Sequence, residues 1–296
     1  MKKIKHFIEF LFVQFLYIIG NILNKKIIYK FSELIGILMF YFIPIRKKTA
    51  LKNLAIAFPE FSVKQIKKIV KQNYINLAKS SLEYCWFHKI NKTDIDEFAK
   101  FENLEIIQTE VKNKRGIILL GAHFDNPELT ANLIKIQTGY DIVALVKQQQ
   151  NKYVHNFLEK IRKSNNIGLV YKGVAIKEIF RILKQKKILV MVADTATAPN
   201  EGNLLNFFNR PTYTPIGPAK FAIRTNSAVI PVFSIRLDDN THKIIIHNKI
   251  EWEKLIDNDE NEKIKFIMQQ YNDILENYIR RYPNEWFWFH NRWKII

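Results

Sequence analysis

The 296 residues carry 46 basic and 28 acidic side chains, a formal net charge of +18, and 48% of them are hydrophobic. The chain is therefore long and apolar enough to bury a sizeable core, and its field favours anionic partners: lipid head groups, an acidic carrier protein or nucleic acid. One cysteine, Cys85, excludes an intrachain disulfide framework and a multi-cysteine zinc site, and with no H-E-x-x-H, G-x-G-x-x-G or Walker A run we expect neither a metal nor a cofactor.

Phe7 to Leu23 is rich in Phe, Leu and Ile but is interrupted by Glu9, Gln14, Gly20 and Asn21, and a second apolar run, Leu34 to Ile43, stops at Pro44. Neither is a clean span of around 20 apolar residues, and Glu9 at the start of the apolar region argues against a secretory signal. Lys2, Lys3 and Lys5 precede the first run and Lys25, Lys26 and Lys30 follow it, so the flanking charge gives no crossing direction. The pattern suits a helix lying in the membrane interface with its lysines on anionic head groups. A single short span and a pair of soluble core helices are the other readings. Residues 1–45 are read as a membrane-associating helical segment and residues 46–296 as one α/β domain.

Ser62 caps a helix with Val63, Ile66, Val70, Tyr74 and Leu77 on one face, and Ser80 to Lys89 reads as a further short helix. Beyond residue 115 strands and helices alternate. Strands are expected near Ile142 to Val146, Ile167 to Tyr171, Ile188 to Val192 and Val229 to Ile235, with Lys243 to His247 as an edge strand. Helices are expected near Tyr153 to Lys163, Val174 to Lys184, from Pro215, and from Glu262 to Tyr278, while Phe207 to Pro211 reads as loop. Alternation of this kind predicts an α/β fold with helices on both faces of a sheet, and sites gather at the carboxyl ends of strands in such sheets.

The segment Gly116-Ile117-Ile118-Leu119-Leu120-Gly121-Ala122-His123-Phe124-Asp125-Asn126-Pro127-Glu128 reads as a buried strand that turns into a helix, with Asp125 or Asn126 as cap and Pro127 at the first helical position. The turn is expected to bring His123 and Glu128 together. A histidine beside a carboxylate can act as general base toward a hydroxyl, the carboxylate fixing its tautomer. There is no G-x-S-x-G elbow, so the hydroxyl would come from the substrate. A capped helix after a core strand, without catalysis, fits the same residues.

Four separated motifs together resemble the late acyltransferases of lipid A biosynthesis. They are Asn53-Leu54 with Phe58-Pro59; Gly121-Ala122-His123 with Glu128, similar to the family's H-x4-D/E; Asp194 through Phe207-Phe208 and Thr214-Pro215-Ile216-Gly217-Pro218 to Val229-Ile230-Pro231-Val232; and Tyr282-Pro283 with Trp286-Phe287-Trp288-Phe289-His290-Asn291-Arg292-Trp293-Lys294. The chain departs from the family at Ala193-Asp194-Thr195-Ala196, where many members have P-D-x-D, and at Asn209, where Gly is usual.

The resemblance implies a mixed central sheet of glycerolipid-acyltransferase type behind N-terminal membrane-associating helices, at the cytoplasmic face of a Gram-negative inner membrane. It implies His123 and Glu128 as catalytic pair and Arg162, Asp194 and Asn126 as substrate-binding residues. Arg162 is the best match for an arginine that positions phosphate or the acyl thioester, with Lys160 and Lys163 as neighbours in register. The implied donor is acyl-acyl carrier protein, and the implied acceptor a hydroxyl on the acyl chain of a lipid A precursor. Rival readings are an acyltransferase of the same superfamily acting on another glycolipid or a lysophospholipid, and a non-catalytic basic membrane-surface protein. Nucleic acid is not an expected partner, since no binding motif for it occurs.

Overall fold

The computed structural model describes residues 2–164, 167–173 and 176–294. Helix α1 (Lys2–Ile22) gives way at Asn24, whose side chain accepts from the Ile27 N–H and starts α2 (Lys25–Phe42). Helix α3 (Lys47–Ala57) follows, and α4 (Val63–Glu83) begins with a reciprocal capping box between Ser62 and Gln65. Ile66, Val70 and Tyr74 of α4 are buried as expected, but Val63, in the first turn, is exposed. The short helix expected from Ser80 is the end of α4, followed by a 3-10 turn at Phe87–Lys89.

The sheet then begins with an element that its sequence does not announce. β1 (Ala99–Glu102) is only four residues, and α5 (Glu105–Lys112) follows it. Next come β2 (Ile117–Gly121), α6 (Pro127–Thr138), β3 (Ile142–Val146), α7 (Lys152–Ser164), β4 (Gly168–Tyr171), α8 (Ile176–Lys184) and β5 (Ile188–Val192). Val174, the expected start of α8, lies outside the described residues. The expected loop around Phe207 is a hairpin of β6 (Gly202–Phe207) and β7 (Arg210–Pro215). Its two turn residues, Phe208 and Asn209, both have positive φ, 52° and 54°, as a type I′ turn requires. Asn tolerates that region, and Phe208 is held in it by packing on Phe58 and Trp288. The chain closes through α9 (Gly217–Thr225), β8 (Ala228–Arg236), β9 (His242–Ile246) and α10 (Glu260–Arg281).

Seven strands form one sheet in the order β1-β9-β8-β2-β5-β3-β4, with only the β8–β9 pair antiparallel. The expected α/β class with a mixed sheet flanked by helices is what forms. β9 is not at the edge; β1 covers it, pairing Ala99 with His242. Side chains alternate across the sheet. Ile118 and Leu120 of β2 join a core with α10, where Ile264, Ile267, Met268, Tyr271 and Leu275 are buried, whereas Ile117 and Leu119 join a second core with Leu129 and Leu133 of α6. In β8, Pro231 stands at the last rung shared with β2, opposite Leu120; from Val232 onward β8 pairs with β9 instead. Proline has no N–H to donate, and it sits where the β2 pairing ends and β2 is free to turn away.

Within α1, Lys3–Ile22 is long and apolar enough to cross a membrane, and only 6% of that window is buried. Its covered side meets α7 through Phe10 with Tyr153 and Phe157, and Tyr17 with Phe157. α2 lies so close to α4 that a Cβ on Gly36 would collide with the Ile75 backbone. Gly36→Ala is therefore expected to destabilise the protein by about 1–3 kcal/mol, seen as a lower midpoint in chemical denaturation.

Candidate active site

β2 and β5 are adjacent and parallel, in a register that sets Gly121 beside Val192. Two residues past those partners stand His123 and Asp194, so sheet pairing alone delivers an imidazole and a carboxylate to one place. His123 Nδ1 lies 2.8 Å from Asp194 Oδ1, and the His123 backbone N–H donates to Oδ2 at 3.0 Å. Trp286 Nε1 donates to the same Oδ2 at 2.8 Å. The Asp194 side chain is 0% exposed, whereas that of His123 is 44% exposed. The Asp194 charge, opposed in part by burial, raises the His123 pKa above its ordinary value.

Glu128 has a different partner from the one the sequence suggests. Arg162 of α7 takes both of its oxygens, Nε at 2.9 Å and Nη2 at 2.7 Å, and Nε also reaches the Tyr84 hydroxyl at 3.0 Å. The carboxylate holding His123 is thus Asp194, because strand register places it there, while Glu128 in the first turn of α6 meets the planar fork of Arg162. The three residues expected at the substrate are placed as follows. Asp194, expected to bind substrate, is sealed from solvent and holds the imidazole. Arg162, expected to position phosphate or thioester, grips Glu128. Asn126, also expected at the substrate, caps α6 by accepting from Leu129 N–H at 3.2 Å and donates to Glu83 Oε2 at 2.9 Å.

Behind the turn lies a buried charge cluster. Asp125 has a left-handed backbone, φ 51°, a region in which Asp is among the more tolerant residues. Its carboxylate accepts from Arg236 Nη2 at 2.9 Å and lies 2.5 Å from His242 Nδ1. Arg236 also grips Glu83 with both terminal nitrogens, and the Tyr29 hydroxyl donates to Glu83 at 3.0 Å. Burial alone would lower the His242 pKa, but Asp125 and Glu83 raise it to about 9. Two carboxylates, a guanidinium and an imidazolium then balance in charge, as buried ions must. Sequence reasoning missed this cluster; Arg236 ending an apolar strand and Glu83 ending an amphipathic helix were the available signals.

His123, Glu128, Tyr84, Asn76, Glu285 and Phe287 are among the residues lining a cavity of about 250 Å³. Among the described residues no group of three or more His, Cys, Asp or Glu side chains is arranged to hold a metal ion.

A cavity at the carboxyl ends of parallel strands, over a carboxylate-held histidine, is the architecture of an enzyme, and the protein is an O-acyltransferase. It belongs to the bacterial lipid A biosynthesis acyltransferase family, whose model matches residues 1–295. Similar proteins include the lipid A biosynthesis palmitoleoyltransferase of Escherichia coli K12, 22% identical over 88% of this chain and 82% of the relative. The lauroyltransferase of the same organism is 22% identical over 92% and 87%. A lipid A biosynthesis acyltransferase of Haemophilus influenzae is 21% identical over 84% and 78%. The family resemblance carried by the four motifs is thereby borne out.

Arg236→Met removes the guanidinium that Glu83 and Asp125 share and is expected to cost about 3–5 kcal/mol, measured by chemical denaturation. His242 binds its proton more tightly folded than unfolded, where the pKa is about 6.5, so its stabilisation is complete below about pH 6.5 and lost as pH rises through about 9. Denaturation midpoints should fall across that window, and fall less in His242→Gln.

Proposed function

We propose that this protein transfers a fatty acyl chain from acyl-acyl carrier protein to a 3-hydroxyl on an acyl chain of a lipid A precursor, at the cytoplasmic face of a bacterial inner membrane. The observation that carries the reading is the His123–Asp194 pair, whose imidazole lines the cavity. Asp194 accepts from Nδ1–H, which leaves Nε2 as the basic nitrogen. Nε2 takes the proton of the acceptor hydroxyl as its oxygen attacks the thioester carbonyl. The tetrahedral intermediate collapses with cleavage of the C–S bond, and the imidazolium returns the proton to the departing thiolate. Asp194 stabilises the imidazolium between these steps. Glu128 lines the same cavity with its charge matched by Arg162.

Residues 1–45 supply the membrane-facing part in this reading, and residues 46–296 the catalytic domain. Phe7, Ile8, Leu11, Phe12, Phe15 and Ile18 are exposed on α1, a larger apolar face than a water-facing surface usually carries. The net charge of +18 suits both anionic head groups and an acidic carrier.

Membranes containing the protein, supplied with acyl-acyl carrier protein and a tetra-acylated lipid A precursor, should yield a product heavier by one acyl chain in mass spectrometry. His123→Ala should lower kcat roughly 10²–10⁴-fold; unchanged turnover would remove His123 from the chemistry. The base works only when neutral and its pKa is raised, so kcat/KM should rise with pH through a value above about 6.5. Asp194→Asn should lower the rate and move that limb to lower pH.

A further inference from the structure

Pro44 ends α2, since the residue before a proline is kept out of the helical region, and α3 sets off at 93° to it. Taken together the two helices are long and apolar enough to cross a membrane, but neither is free to do so. α2 packs along α4, with Gly36 against the Ile75 backbone. α3 returns into the core, where Ala50 and Leu54 are buried and Asn53 donates to the carbonyls of Trp288 and His290. What stays outside is the corner between them. Tyr41, Phe42, Ile43 and Ile45 are 53–76% exposed there, a contiguous apolar surface of the kind that marks an interaction site.

The corner's backbone suits an environment poor in water. Ile43 N–H donates to the Met39 carbonyl at 3.0 Å, Ile45 N–H to the Ile43 carbonyl at 2.7 Å and Lys47 N–H to the Pro44 carbonyl at 3.3 Å. The Tyr74 hydroxyl donates to the Ile45 carbonyl at 2.6 Å, and proline has no N–H to leave unpaired. The polar backbone groups of residues 43–45 are thus all satisfied within the protein, which is the condition for backbone near lipid. Basic side chains frame the corner. Lys64, Lys67, Lys68 and Lys71 recur at helical spacing along α4 and so share one face, and Lys71 reaches the Tyr41 ring, 5.8 Å from its centroid. Lys48 and Lys52 share a face of α3 in the same way. None of these lysines is ion-paired among the described residues, and Glu60 is the only acid in residues 46–71.

We infer that the α2–α3 corner is a second membrane contact. Tyr41, Phe42, Ile43 and Ile45 enter the boundary between head groups and acyl chains of an anionic bilayer, and the lysines of α3 and α4 rest on its phosphates. An acidic protein would match the lysines but supplies no acyl layer for the apolar side chains. Tyr74, which holds Ile45, has its ring 4.6 Å from that of Phe289; Phe289 lies 5.2 Å from Phe287, and Phe287 6.0 Å from His123. A bilayer seated on the corner therefore lies within a few side chains of the imidazole. The inference deepens the membrane-facing role given to residues 1–45 and rests on that part of the reading, not on the acyl-transfer steps.

The test places a nitrobenzoxadiazole label on Ile43→Cys, on Phe12→Cys of α1 or on Ile256→Cys, in the full chain bound to vesicles of equimolar phosphatidylcholine and phosphatidylglycerol. All three positions are exposed, and the unsubstituted chain, whose Cys85 is buried, is the labelling control. Ile256 follows the Glu253–Arg115 pair at the amino end of β2, away from the cavity. The label at residue 43 should lose its emission to a nitroxide-bearing lipid and keep it against aqueous iodide, and the label at residue 256 should do the reverse. Lipid quenching at residue 12 but not at residue 43 overturns the corner and keeps α1 at the membrane, whereas lipid quenching at neither removes the membrane-facing reading as well. Equal quenching at residues 43 and 256 also overturns the corner. In a second arm Lys64→Gln, Lys67→Gln and Lys68→Gln are combined. The ratio of binding to these vesicles over binding to pure phosphatidylcholine should fall about 10²-fold, roughly fivefold per lysine; an unchanged ratio overturns the anionic surface as the occupant.

Discussion

Asp194 is the contact on which the site depends. One carboxylate without solvent exposure accepts from the His123 ring, the His123 backbone and the Trp286 indole. Burial by itself would push its pKa up, but the His123 charge and these donors hold it well below the usual carboxylate range. The donors leave from the end of β2 and from the segment after α10, and the acceptor from the end of β5. A single anion therefore ties together three stretches of chain distant in sequence. Its position follows in turn from the β2–β5 register, so sheet pairing sets the geometry of the candidate site.

Charge is balanced locally in layers around this contact. His123 faces Asp194, Glu128 faces Arg162, and Glu83 and Asp125 face Arg236 and His242. Each of these charged groups has a partner of opposite sign within hydrogen-bond reach. The excess of 46 basic over 28 acidic residues belongs elsewhere, mostly on lysines at the surface, where it acts over longer range on whatever approaches.

What the sequence made legible was local. An apolar run followed by Asn126 and Pro127 fixes a strand and a helix start without reference to the rest of the chain, and the structure has both. The partner of His123 was not legible, because 71 residues separate it from Asp194 and only the sheet register joins them. Glu128, five residues away, was the nearer carboxylate but not the bonded one. β1 was missed because Ala-Lys-Phe-Glu is too short for a pattern, and the β6–β7 hairpin because Phe208 occupies a turn position that usually shows Gly or Asn. Trp286 and Trp288 are fully buried, and Arg292 donates to Thr214 and Asn272 within the core. Asn53, from the first motif, donates to the carbonyls of Trp288 and His290, which explains why motifs so far apart occur together.

The segment from residue 284 to 293 follows every strand and helix of the fold, yet it supplies the rungs opposite His123 and the indole on Asp194. During synthesis the sheet and its helices leave the ribosome before this stretch does. The indole on Asp194 and the rungs beside His123 are thus the last parts of the site to be made, and the site is complete only once this strap has closed over it.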